Sequence, residues 1–280
     1  MAAIQASQIE VAPLDETARR TLRGLASGER LSPMLRHLLM DALVNGDRSD
    51  RPHDPGALAS GAARSATEWI GASAQEREKG LLELLRLADA LPPQPKQGPP
   101  LADKVSSVHE ALSEARIPHA FGGALAVAYY GEPRATGDID VNVFIGSNDG
   151  ATLRPSLASL QIDFEIDERE LKRSNELRID WGSTPLHLFF SYDPLHEQMW
   201  HATREAPFNG GVIPLVAPEH LVIRKAILDR PKDWHDIEQI LVATSPLNLG
   251  EIENWLQQLI DKCDPRMEKL RKVKTSLSLD

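Results

Sequence analysis

From residue 117 onward the chain alternates short apolar runs with turn residues, in the rhythm of an α/β protein. Ile117 to Phe121 predicts a short strand, and Ala124 to Tyr130 a short apolar helix. In the strand that follows, Ile139, Val141 and Val143 alternate with Asp138 and Asp140. Side chains at i and i+2 of a strand share a face, so the apolar set points to a core and the two carboxylates point together. Leu153 to Leu160 predicts a helix, and Ile162 to Ile166 a strand or sheet edge. Leu177, Ile179 and Trp181 then alternate with Arg178 and Asp180, and Leu186, Leu188 and Phe190 alternate with His187 and Phe189. With Gly182 to Pro185 as a four-residue loop, this hairpin would set Trp181 opposite Leu186 and Asp180 opposite His187. Val212 to Val216 predicts another strand. Helices follow around Lys225, from Asp233 to about Leu241, from Asn254 to Lys262 and from Met267 to Val273.

The first hundred residues read differently. Leu22, Leu25, Leu35, Leu38, Leu39 and Leu43 recur at helical spacing, with Asp15 as a candidate N-cap and Gly28 and Pro33 as interruptions. Ser49 to Gly61 has loop composition. Ala66 to Leu91 predicts a longer amphipathic helix with Trp69, Ile70, Leu81, Leu84, Leu85 and Leu87 as its buried stripe. Pro92 to Pro100 carries five prolines and one glycine, which favours an extended spacer. The expected organisation is a helical region over 1–91, a Pro-rich linker over 92–100, an α/β domain with a mixed sheet flanked by helices over 101–247, and C-terminal helices over 248–280 packed on it.

Composition narrows the function classes. With 280 residues and 41% hydrophobic content the chain can bury a sizeable core. No apolar run approaches the ~18 residues of a membrane span and no leader is visible, so a soluble cytoplasmic protein is expected. The single cysteine, Cys263, excludes an intramolecular disulfide and a Cys cluster for zinc. The net charge of −10 is concentrated after residue 100, where 19 Lys and Arg face 28 Asp and Glu. Such a domain should not bind duplex DNA non-specifically.

Candidate chemistry converges on Phe121 to Phe144. Asp138 and Asp140 on one strand face suit a hard divalent cation such as Mg2+, which takes oxygen ligands and keeps positions for water and phosphate. Strand-end solvation is the alternative for both. Gly122 and Gly123 allow close backbone approach, and the N–H groups opening the next helix would face an anion. Arg134 suits a phosphate or a nearby acid such as Glu132, and Thr136 a local turn hydrogen bond. Lys225 sits among apolar neighbours, where it could bind phosphate or snorkel outward. Asp233 and Asp236 fall at a helix start, where acids cap. His119, His196, His201, His220 and His235 show no recurring ligand spacing.

The order Gly-Gly, helix, Arg134-x-Thr136, Asp-hydrophobic-Asp, strand resembles the nucleotidyltransferase superfamily of DNA polymerase β. Val216-Ala217-Pro218-Glu219-His220-Leu221, Lys225 and Arg230-Pro231-Lys232-Asp233-Trp234-His235-Asp236-Ile237 resemble its AbiEii-like group. The resemblance covers about residues 117 to 245. It implies a nucleotidyltransferase fold and transfer of a nucleoside monophosphate from an NTP to an acceptor hydroxyl on RNA, protein or a small molecule. Asp138 and Asp140 would hold Mg2+, with Mn2+ or another divalent ion as alternatives; Gly122, Gly123, Arg134, Thr136 and Lys225 would bind the nucleotide, and Asp233 would belong to the active site. Membership of toxin–antitoxin pairs would add an antitoxin-like partner. One departure stands out, because this group places a third carboxylate where this chain has His187. Its imidazole would retune or weaken the metal site, and Asp180, as a metal ligand across the hairpin, is the candidate to replace it. A catalytically weakened nucleotide- or partner-binding module is therefore the alternative.

Overall fold

Two adjacent parallel strands of the sheet each bury an apolar set that alternates along the strand. In Ile139–Gly146 (β2) the side chains of Ile139, Val141 and Val143 are buried, and in Thr184–Ser191 (β4) those of Leu186, Leu188 and Phe190 are fully buried. The two pair in register, Asp140 beside His187 and Val141 beside Leu188. His119–Phe121 (β1), Glu176–Trp181 (β3), Arg204–Phe208 (β5) and Gly211–Leu215 (β6) complete a six-stranded sheet of order β3-β4-β2-β1-β6-β5. Pairs β1–β6 and β2–β4 are parallel and the rest antiparallel. This computed structural model describes residues 69–90, 98–134, 136–162 and 164–279. The expected helices of residues 15–43, the loop at 49–61 and most of the 92–100 spacer lie outside them.

Helices flank the sheet: α1 (Ala74–Ala90), α2 (Leu101–Glu114), α3 (Gly123–Tyr130), α4 (Leu153–Ser159), α5 (Glu168–Ser174), α6 (Pro194–His201), α7 (Pro218–Leu228), α8 (Pro231–Ala243), α9 (Leu249–Leu259) and α10 (Pro265–Ser276). The chain divides into Met1–His53 with Asp89–Pro95, almost wholly outside the described residues, and Asp54–Ala88 with Lys96–Asp280. Within the second unit one core cluster runs from Leu81 and Leu85 of α1 through Val141 and Leu188 to Leu270 of α10. α1 is also tied down by Arg77. Its buried guanidinium donates to the carbonyls of Trp69, Gly131 and Ala243.

Several expectations are corrected. The helix containing the Leu81 stripe begins at Ala74, because Gly71 at φ +77 breaks the chain before it, and Ile70 is exposed while Trp69 is buried. Ile162 to Ile166 forms no strand among its described residues; instead Asp167 accepts from the N–H groups of Arg169 and Glu170 and opens α5. The β3–β4 connection is a two-residue turn, with Trp181 opposite Thr184. Gly182 at φ +62 closes it in a conformation that favours glycine. Arg178, not Asp180, therefore lies opposite His187, and Asp180 lies opposite Pro185. Strand β5 was not anticipated. Its hairpin to β6 is closed by Asn209 and Gly210, both at positive φ, so the Asn-Gly pair carried the signal.

Candidate active site

The site begins where β1 turns into α3. The Gly122 N–H donates to Asp140 O at 2.9 Å, fixing the turn against β2. Gly123 takes φ +53, and a Cβ there would stand 1.8 Å from Asp140 Oδ2. No side chain fits that space, so the N-terminus of α3 and the Asp140 carboxylate can adjoin only through glycine. Asp138 lies just ahead of β2, where the Thr136 hydroxyl donates to its carboxylate. Both aspartates are half-buried, and among the described residues neither forms an ion pair with Lys or Arg. Asp140 instead faces His187, with Oδ1 and Nδ1 3.5 Å apart. That contact raises the His187 pKa against the opposing effect of burial.

A second pair of aspartates lies nearby and is arranged in the opposite way. Helix α7 ends at Asp229 in a left-handed cap, and Arg230-Pro231 opens α8 directly. This corner sets Lys225, one turn before the end of α7, against Asp233 and Asp236, which fall three residues apart on α8 and share a face. Lys225 Nζ lies 2.6 Å from Asp236 Oδ2 and 3.5 Å from Asp233 Oδ1. Arg134 reaches both oxygens of Asp236 at 3.2 Å. Arg230 grips both oxygens of Asp233 at 2.6 and 3.1 Å. Asp233 and Asp236 are buried, whereas the Arg134 and Arg230 side chains are 37% and 51% exposed. Burial would raise the Asp236 pKa, but Arg134 and Lys225 outweigh it and hold the carboxyl below its ordinary value. Asp138 and Asp140 act in turn on Arg134, and Asp140 on Arg230, so the two clusters share one electrostatic neighbourhood.

Of the residues expected from sequence, Gly122, Gly123, Asp138, Asp140, Thr136 and His187 are brought to one end of β2 and β4. Lys225 and Asp233 meet Arg134 through the buried network. Asp180 stays apart: it is exposed, and its ion-pair contact is with Arg178 at 4.0 Å. Arg230 and Asp236 are members of the network that sequence reasoning did not single out as site residues. The i, i+3 spacing of Asp233 and Asp236 beside two basic residues was the available signal. Among the described residues, no three His, Cys, Asp or Glu side chains form a ready metal cage. The donors present still suit a divalent cation held openly, since Asp138 and Asp140 are carboxylates with no Lys or Arg paired to them and phosphate oxygens can complete such a site.

No family model matches the chain, and no curated protein matches it. Among solved structures it is similar to the solution structure of the antibiotic-resistance factor ANT(2'')-Ia, with a TM-score of 0.41 and 17% identity over 56% of this chain and 90% of that one. The crystal structure of ANT(2'')-Ia with adenylyl-2''-tobramycin gives 0.39 and 16% over 56% and 95%. An antigenic nucleotidyltransferase-like protein from Paracoccidioides brasiliensis gives 0.36 and 17% over 61% and 92%.

Proposed function

We propose that this chain is a nucleotidyltransferase that moves a nucleoside monophosphate from an NTP to an acceptor hydroxyl and releases pyrophosphate. The supporting observation is the contrast of two groups at one glycine-lined corner. Asp138 and Asp140 are carboxylates without a Lys or Arg partner, and Arg134 and Arg230 are half-exposed cations held by buried acids. The first suits a divalent cation, Mg2+ or Mn2+, and the second suits a polyphosphate. A cation bound at Asp138 and Asp140 would supply charge neutralisation at the phosphoryl oxygens. Gly122 and Gly123 would let the phosphates approach the α3 N-terminus, where backbone N–H groups favour anions. Lys225 and Asp233 act one step back in this reading. Lys225 is turned to Asp236, and Asp233 holds Arg230, so both position the exposed arginines.

The AbiEii-like resemblance is the support for an RNA acceptor, an antitoxin-like protein partner and a cytoplasmic setting. A second reading has one specific observation in its favour: His187 stands beside Asp140 where a third carboxylate is expected, as in a weakened module that binds nucleotide without turnover. Incubation with each α-labelled NTP and Mg2+ or Mn2+, with and without total RNA, separates the two. Label transfer that Asp140→Asn abolishes supports the enzyme. Saturable NTP binding with no labelled product under any condition supports the module and overturns the transferase.

A further inference from the structure

His187 is a direct ladder neighbour of Asp140, yet neither ring nitrogen makes a good hydrogen bond. Nδ1 lies 3.5 Å from Asp140 Oδ1, well beyond the roughly 2.7–2.9 Å of a charge-assisted bond. Nε2 is buried and has no hydrogen-bond partner. The ring is therefore placed by β4 and by its edge contact with Phe189, whose centroid lies 6.2 Å away, more than by polar bonds. Asp140 cannot move closer to α3, because Gly123 already leaves it no more than the space of a missing Cβ.

Two donors that share one cation stand at a separation set by its geometry. Neighbouring ligands about 2.05 Å from an octahedral Mg2+ are about 2.9 Å apart. Two ligands about 2.1 Å from a tetrahedral cation are about 3.4 Å apart. The 3.5 Å between Asp140 Oδ1 and His187 Nδ1 leaves both atoms within reach of one shared cation. Imidazole nitrogen favours borderline first-row cations over Mg2+. An imidazole beside Asp140 brings no negative charge of its own, and a hard cation held by charge alone loses most from that.

We propose that Asp140 Oδ1 and His187 Nδ1 are two ligands of one borderline divalent cation of the Zn2+ and Co2+ class, bound in preference to Mg2+. Phosphate oxygens of the nucleotide and water fill the remaining positions, so the site is completed only when substrate binds. This assignment rests on the reading that a cation binds at Asp140. It makes His187 a determinant of which cation the site takes, and gives its unusual residue a use.

The test is Co2+ titration of the full-length protein, followed by visible absorption, alone and with a non-hydrolysable ATP analogue, with Mg2+ as competitor. His109 Nδ1 and His119 Nε2 lie 2.9 Å apart at the far end of β1 and offer Co2+ another imidazole pair. All proteins therefore carry His109→Ala. His187→Asp should weaken Co2+ binding at least about tenfold, keep or improve Mg2+ binding and shift the spectrum toward six-coordinate cobalt. His187→Asn should weaken Co2+ binding without the gain for Mg2+. Unchanged Co2+ and Mg2+ affinities in both variants overturn the His187 assignment, provided Asp140→Asn abolishes binding. If Asp140→Asn leaves cation binding intact, or the parent binds neither cation with or without the analogue, the cation reading of the whole site fails and this assignment with it.

Discussion

Two pairs of aspartates lie within one electrostatic neighbourhood, and the structure treats them oppositely. Asp233 and Asp236 sit on a helix, are buried, and are saturated by Lys225, Arg134 and Arg230. Asp138 and Asp140 sit at the start of a strand, are half-exposed, and have no Lys or Arg paired to them. A buried carboxylate must be neutralised within the fold, so its partners are structural requirements. A half-exposed pair can remain charged in water and keep its lone pairs for a ligand. In the proposed reading the helix pair is therefore scaffold and the strand pair binds the cation.

The largest effect should come from breaking the scaffold. Lys225→Ala leaves two buried acids short of a cation, and removing one partner of a buried pair costs about 3–5 kcal/mol. Chemical denaturation should show that loss. If stability is unchanged and NTP binding alone weakens, Lys225 is a phosphate contact and the comparison is wrong. The same network predicts a pH response. Because the Asp236 pKa is lowered in the folded state, its stabilisation is complete above the ordinary value of 3.8 and is lost as pH falls through the depressed one. Asp236→Asn should remove that part of the acid sensitivity.

Glu238, on the same helix, sharpens the comparison. Its Oε2 has no hydrogen-bond partner, and burial pushes its pKa up to about 7. A raised carboxyl pKa means that the folded state binds the proton more tightly, so stability falls as pH rises from 4.5 to about 7. Glu238→Gln should therefore raise the melting temperature at pH 8 more than at pH 5. No gain in melting temperature at pH 8 relative to pH 5 would show that Glu238 has a partner when ionised.

Asp138→Asn and Asp140→Asn should change stability least, by about 0.5 kcal/mol or less, and removal of their mutual repulsion favours a small gain. Each should nonetheless abolish cation-dependent nucleotide binding. A large drop in thermal stability for either variant would place that residue in the scaffold class instead.

The strand half of this contrast was legible along the chain; the helix half was not, since Lys225 and Asp233 were expected at the nucleotide. Period-2 alternation marks β4, buried at every second position, and the Ile139, Val141 and Val143 set marks β2. The Gly-Gly turn and the Asp-x-Asp strand pointed to one corner, and Asp140 lies against Gly123 there. Arg204 to Phe208 offers two charges and Pro207 where an edge strand tolerates them, so its pattern is weak and only Asn209-Gly210 marks its end. Turn residues after Trp181 announced a hairpin but not its length, and a difference of two loop residues moved Asp180 away from His187. The bond from Arg134 to Asp236 spans 102 positions. Local spacing carries no information about it, and the exposure of Arg134 follows only once α8 is docked.

The most direct measurement is Mn2+ binding in the presence of a non-hydrolysable NTP analogue, read by electron paramagnetic resonance for wild type, Asp140→Asn and Asp236→Asn at matched folded fractions. The account predicts that Asp140→Asn loses bound Mn2+ at unchanged melting temperature, while Asp236→Asn melts lower yet still binds Mn2+ in its folded fraction. Wild-type Mn2+ binding in Asp140→Asn would contradict it.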